Sequence, residues 1–290
     1  MKPETPLTQY IKSKKRLVDG YLKQILSRRD GTPKLLQETM RYSALSGGKR
    51  LRPILALAAY QAVGGRGKII LPAACALELL HAFSLVHDDL PCMDDDDLRR
   101  GKPTLHKVYG PGLAVLAGDA LHNLAFQLLA VTGNLQVLQE VASAIGAKGM
   151  IGGQVADLQA EGRKVSLEEV EYIHQHKTAA LIRASVRVGG ILGQASASQL
   201  RALTVYGENV GLAFQVTDDI LNLEGKEKEL GKKIGSDKLK KKATYPKAVG
   251  IRKSKRMATE LTQTAKGAIR IFPNFGRLTQ IADLLLQRIK

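Results

Sequence analysis

The chain has 290 residues, 44 Lys plus Arg against 27 Asp plus Glu, a formal charge of +17 at pH 7, and 44% hydrophobic residues. That length and apolar content support a large buried core and exclude a disordered chain. Ten prolines, no tryptophan and 4% aromatic residues argue against a proline-rich linker protein and against an aromatic platform for single-stranded nucleic acid.

Apolar residues recur at three- and four-residue spacing over residues 5–30, 34–46, 52–63, 70–87, 112–132, 135–149, 166–193, 197–222 and 256–289. This period predicts amphipathic or buried helices. Gly31-Thr32-Pro33, Gly64-Gly65-Arg66-Gly67, Gly110-Pro111-Gly112 and Phe272-Pro273-Asn274 punctuate the runs. Ser166 followed by Glu169 reads as a capping box. Residues 113–129 and 178–192 are apolar nearly all round, as expected of helices central to a large bundle. No internal repeat is present, and the expected architecture is all-α, one domain over 1–290 with roughly ten helices.

The most apolar stretch, residues 71–86, is interrupted by Pro72, Glu78 and His81, and no membrane insertion is expected of it. The start of the chain has mixed acids and lysines and no apolar leader. Cys75 and Cys92 are too few for a disulfide framework and not in CxxC spacing. They point to a reducing compartment, and a cytoplasmic location is the expectation.

Chemistry concentrates in a few places. Gly47-Gly48-Lys49-Arg50-Leu51-Arg52-Pro53 sets three cations beside two glycines at the start of a helix. Glycines let backbone approach an anion, and Arg can grip phosphate bidentately. Residues 87–101 follow an apolar helix and carry six carboxylates, Asp88, Asp89 and Asp94 to Asp97, with Arg99 and Arg100 close behind. Carboxylates this dense repel one another, and a hard divalent cation relieves the repulsion. Lys177, in His176-Lys177-Thr178, stands in apolar sequence and calls for an anionic partner.

A second acidic stretch reads Phe214-Gln215-Val216-Thr217-Asp218-Asp219-Ile220-Leu221-Asn222. On a helix, Gln215, Asp218, Asp219 and Asn222 line one stripe. His81, Ser84 or Leu85, and Asp88 share a face by the same spacing. Two such acidic faces across a bundle are expected to hold a metal-bound polyanion. Residues 226–256 carry 13 Lys or Arg against three acids, more than half of the whole chain's excess charge. A patch of that kind draws nucleic acid, an anionic membrane or a polyphosphate. The acidic clusters argue against nucleic acid, because they repel phosphate unless metal bridges it.

These motifs together resemble the trans-isoprenyl diphosphate synthases, most closely the bacterial farnesyl diphosphate synthases. The family's DDx₂₋₄D motif with trailing arginines is matched by Asp88-Asp89-x₄-Asp94 with Arg99 and Arg100. GGKRxRP is matched at 47–53, GGQxxDL at 152–158, HKT at 176–178 and GKxxGxDxxxxKxTYP at 231–246. FQxxDDxxD is matched at 214–222, save that Asn222 replaces the usual last aspartate.

The resemblance implies Mg²⁺, three ions per active site, held by Asp88, Asp89, Asp94, Asp218 and Asp219. It implies that Arg99, Lys177 and Lys232 hold the allylic diphosphate, with Lys242 at a further substrate-binding lysine position of the family's basic stretch, while Lys49, Arg52, His81 and Arg100 hold the diphosphate of isopentenyl diphosphate. Thr178 and Gln215 would turn oxygen dipoles toward an allylic cation, and residues 226–242 would form a lid. Phe83 and Ser84, five and four residues before Asp88, would limit product length to fifteen carbons. With Asn222 a weaker third metal is expected. A homodimer is implied, and a geranylgeranyl or longer-chain synthase is the alternative reading.

Overall fold

The computed structural model describes residues 5–224 and 242–289, and helices account for nearly all its regular structure. The chain divides into two compact units. One comprises residues 1–54 and 68–135, the other residues 55–67 and 136–290. Twelve helices of eight residues or more occur among the described residues, somewhat above the expected number.

The first unit holds α1 (Pro6–Ile25), α2 (Lys34–Ala44), the start of α3 (Leu51–Val63), α4 (Ile70–Asp88), α5 (Leu105–Tyr109) and α6 (Pro111–Ala130). Thr5 caps α1 by accepting the Thr8 N–H at 3.3 Å. Pro53 and Pro72 fall in the first turns of α3 and α4, where the backbone N–H has no partner within the helix to lose. α4 packs against α1, α2 and α6, and Leu77, Leu79 and Leu80 are fully enclosed. Each such leucine contributes about 1.5–3 kcal/mol by leaving water.

At 19 residues α4 is longer than the apolar stretch expected from sequence. By length and composition alone both α4 and α6 could cross a membrane. In α4 the apolar surface is instead used in packing, since 67% of its most apolar window is buried within the protein. α6 buries only 39% of its own, and leaves Val115 and Leu116 exposed.

Arg50 anchors this unit from within. It has φ 52° and a fully buried guanidinium. Its Nε donates to Asp19 at 2.8 Å, Nη1 to Glu78 at 2.7 Å and Nη2 to the Ala44 carbonyl at 2.8 Å. Removing one partner of such a set leaves a buried charge, at a cost of roughly 3–5 kcal/mol.

A hairpin that the sequence did not suggest joins the acidic stretch to α5. Its strands are β1 (Leu98–Arg99) and β2 (Lys102–Pro103). The turn between them is Arg100-Gly101, with φ 55° and 75°, the two left-handed residues of a type I′ turn.

The second unit holds the rest of α3 and α7 (Leu135–Ile145, from its second residue), then α8 (Met150–Ala160), α9 (Leu167–His174), α10 (Ala180–Leu192) and α11 (Ala197–Glu224). Beyond residue 241 come α12 (Tyr245–Val249), α13 (Ile251–Ala268) and α14 (Gly276–Gln287). α11 packs on α10 and α13. A Cβ on Gly207 would lie 2.6 Å from the Arg183 Cα, and one on Gly211 2.5 Å from that of Ala179, so glycine permits this close helix approach.

The expected capping box is present. Ser166 accepts the Glu169 N–H at 3.2 Å and Glu169 accepts that of Ser166 at 2.8 Å. The single helix expected over 166–193 is instead two, α9 and α10, joined by a π-helical turn at Gln175–Ala179. The run expected over 256–289 starts earlier, at Ile251, and breaks at 269–275 around Pro273.

Candidate active site

Each unit carries one of the acidic stretches. In the first, α4 ends at Asp88, and the chain turns back so that the Asp94 N–H donates to the Asp88 carbonyl at 2.8 Å. That turn sets Asp94 beside the helix end. Asp89 is buried at 4% exposure. Its Oδ1 accepts Arg99 Nε at 2.9 Å and also Arg99 Nη2, which reaches Asp96 Oδ2 at 2.9 Å. Burial raises the Asp89 carboxyl above its ordinary value, and Arg99 only partly offsets this. Asp89 and Arg99, expected to serve metal and diphosphate respectively, thus hold each other.

Arg100 lies against the glycine loop. Its Nη1 donates to the Gly47 carbonyl, and a Cβ on Gly48 would lie 2.6 Å from its guanidinium carbon. Arg52 is buried and Lys49 exposed. His81, half-buried on α4, is held well below the ordinary imidazole value by burial and by Arg52, Arg100, Arg99 and Arg50. A neutral imidazole among arginines leaves a cationic surface suited to a multiply charged anion. Of the residues expected to take isopentenyl diphosphate, His81, Arg52 and Arg100 thus lie in one neighbourhood.

Phe83 meets His87 and His122 edge-on, with ring centroids 5.0 Å apart in both pairs. His122 in turn lies 5.1 Å from Phe126. The Ser84 hydroxyl donates to the His81 carbonyl of its own helix at 3.1 Å.

In the second unit a chain of hydrogen bonds runs through the expected residues. Thr178 Oγ1 donates to Gln215 Oε1 at 3.0 Å, and Gln215 Nε2 donates to Asp219 Oδ1 at 2.9 Å. Asp219 Oδ2 accepts the Tyr245 N–H at 3.0 Å, and its residue is 2% exposed. Asp219 thereby orients Gln215. Asp218, one residue earlier, is more exposed and pairs with Arg288 at 2.7 Å. Asn222 is 1% exposed, so an aspartate there would bury a charge.

Lys177 sits on the π-helical turn, a feature frequent at functional sites. Its ammonium donates to Asp157 Oδ2 at 2.7 Å. Lys242 donates to the same oxygen at 3.1 Å and also to Glu161. Burial would raise the Asp157 carboxyl, and the two lysines overcome it and hold it below the usual range. Lys232 and the expected lid up to residue 241 lie outside the described residues.

Among the described residues no three His, Cys, Asp or Glu side chains converge on one point. In the first unit Asp88 and Asp94, and in the second Asp218, each offer hard carboxylate oxygens. Donors of this kind, taken within each unit, fit Mg²⁺, which takes one or two carboxylates and completes its shell with waters and substrate phosphates.

Sequence reasoning missed three residues. Asp157 lies within the quoted 152–158 motif but had no role. Arg50 appeared as one cation of a basic loop, yet its partners Asp19 and Glu78 are 31 and 28 residues away. Nothing in the sequence signals Arg288.

Residues 33–270 match the family described as Polyprenyl synthetase. A farnesyl diphosphate synthase of Geobacillus stearothermophilus is 45% identical over 251 residues, 84% of each chain. The large subunit 1 of a heterodimeric chloroplastic geranylgeranyl pyrophosphate synthase of Arabidopsis thaliana is 47% identical over 269 residues, 89% of this chain and 72% of that one. The crystal structure of geranylgeranyl pyrophosphate synthetase from Pyrococcus horikoshii aligns with a TM-score of 0.88 at 34% identity, over 97% of this chain and 98% of the other.

Proposed function

The chain belongs to the polyprenyl synthetase family, and on that premise we propose that it condenses isopentenyl diphosphate with dimethylallyl and geranyl diphosphate to give farnesyl diphosphate. As a family member it is an all-α prenyltransferase acting on isoprenoid diphosphates. The observation that carries the finer reading is Phe83, five residues before Asp88, whose ring is fixed between His87 and His122. An aromatic side chain braced from two sides makes a firm stop for a growing apolar tail.

The chemistry asked of the site is ionisation of an allylic C–O bond. Mg²⁺, when bound, neutralises the charge that accumulates on the leaving diphosphate. Asp88, Asp94 and Asp218 are the residues that would hold it. Lys177 and Lys242 add fixed positive charge for the same diphosphate, with Lys232 in that role by resemblance. Arg52, Arg100, Lys49 and the neutral His81 hold the second diphosphate and so set the isopentenyl double bond for attack. Gln215, held by Asp219, and Thr178 present oxygen dipoles where the allylic cation develops. Asp89 fixes Arg99 and orders the acidic turn.

We read residues 1–290 as one catalytic domain, since the chain passes three times between its two units and the family match runs through both. A homodimer is proposed from the exposed apolar side chains of α6, Val115 and Leu116, which a second copy would cover. Light scattering should then return twice 31.5 kDa, and a monomer mass would contradict the dimer. A cytoplasmic location is proposed from the two free cysteines.

The reading is tested by the rate of diphosphate release from geranyl diphosphate and isopentenyl diphosphate, with Mg²⁺ and with EDTA. Release that needs both substrates and the metal is expected. Release from geranyl diphosphate alone would indicate a hydrolase or cyclase instead.

A further inference from the structure

We propose that Asp157 is a positioning residue for the allylic diphosphate, holding Lys177 and Lys242 side by side through a single carboxylate oxygen. The inference rests on the function proposed above and adds a residue to it. Lys177 reaches Asp157 Oδ2 from the π-helical turn at 2.7 Å, and Lys242 reaches the same oxygen at 3.1 Å from the segment before α12. The two residues are separated by 65 positions in sequence, and Asp157 is a partner they share, while Lys242 also donates to Glu161. The Asp157 side chain is 7% exposed, those of Lys177 and Lys242 24% and 11%.

Two ammonium groups this close repel, and in a water-poor place the repulsion is poorly screened. Lysine also has a flexible stem with little geometric preference of its own. Without a carboxylate between them, the pair would separate or give up charge. With it, both stay charged and both are held within reach of one polyanionic group. Gly153, on the same helix, makes this possible, since any Cβ there would collide with the Lys177 backbone nitrogen. Gln154, one turn before Asp157, has both amide atoms buried with no hydrogen-bond partner. Its unused donor and acceptor mark α8 near the lysine pair as a place where a polar ligand completes the bonding.

The experiment compares full-length wild-type, Asp157→Asn and Asp157→Glu proteins. Three quantities are measured at fixed Mg²⁺: KM for geranyl diphosphate, KM for isopentenyl diphosphate, and Kd for inorganic diphosphate by calorimetry. Asp157→Asn is expected to raise the geranyl diphosphate KM and the diphosphate Kd by about tenfold or more. The isopentenyl diphosphate KM should stay within about twofold, a split that a general loss of packing would not produce. Asp157→Glu keeps the charge, and so the fold, but moves the oxygen by one methylene. It should raise the same KM severalfold with an unchanged thermal midpoint.

Equal loss for both substrates, or tighter diphosphate binding in Asp157→Asn, would overturn the proposal. So would a folded Asp157→Glu protein with wild-type constants. Wild-type protein without turnover would count against the proposed function alone, and the diphosphate Kd of the variants would still decide the role of Asp157.

Discussion

Arg288 donates from Nη1 to Asp218 Oδ1 at 2.7 Å, and its guanidinium carbon lies 5.9 Å from the Phe214 ring centroid. A cation already occupies the carboxylate that the proposed function assigns to the metal. Binding of a divalent ion at Asp218 must displace or share that contact. Arg288→Gln is therefore expected to tighten Mn²⁺ binding by about fivefold, the order of a partly exposed ion pair. The check is a substrate-free Mn²⁺ titration followed by electron paramagnetic resonance, and an unchanged affinity would show that Arg288 does not compete. At this scale the sequence was legible where residues sit in motifs. Asp88 and Asp94 could be named because carboxylates cluster there, Lys177 because it stands as a lone cation in apolar sequence, and Gln215 because it shares a helical stripe with Asp218 and Asp219. Arg288 could not, because its partner lies 70 residues away and neither residue changes the local pattern.

At the scale of elements, α8 and the π-helical turn form one device. Gly153 places the α8 backbone against Lys177, and Asp157 on the same helix binds the Lys177 ammonium. Gly153→Ala would force these backbones apart, an overpacking cost of about 1–3 kcal/mol. Thermal unfolding should show a midpoint lower by roughly 3–10 °C, with a weaker diphosphate Kd. A wild-type midpoint would mean that the turn gives way freely. The helices themselves were readable, since their apolar period persists for ten residues or more. The π-helical turn was not, because five residues at a wider pitch barely disturb a 3.6-residue period. The hairpin at 98–103 was equally hidden, since its strands are two residues each and carry no alternating pattern.

At the scale of the whole molecule, +17 of charge coexists, in the first unit, with a half-buried imidazole whose protonation is disfavoured. His81 has its folded value pushed well below 6.5 by burial and four arginines. Its sign follows from linkage. The unfolded chain takes up the proton first, so stability is full above about pH 6.5 and falls as pH drops below it. The thermal midpoint is expected to decline between about pH 6.5 and 5, and His81→Gln should flatten part of that decline. An identical slope in both proteins would mean that His81 is protonated in the fold. Membership in the polyprenyl synthetase family settles the class of chemistry but not its endpoint, because the relatives named include both farnesyl and geranylgeranyl synthases. The most direct measurement is therefore the length of the product. Protein incubated with dimethylallyl diphosphate, isopentenyl diphosphate and Mg²⁺ should yield, after dephosphorylation and chromatography, farnesol as the main alcohol, and Phe83→Ala should shift it to twenty carbons or more. A twenty-carbon alcohol from the wild type would contradict the proposed role of Phe83 and with it the assignment as a farnesyl diphosphate synthase.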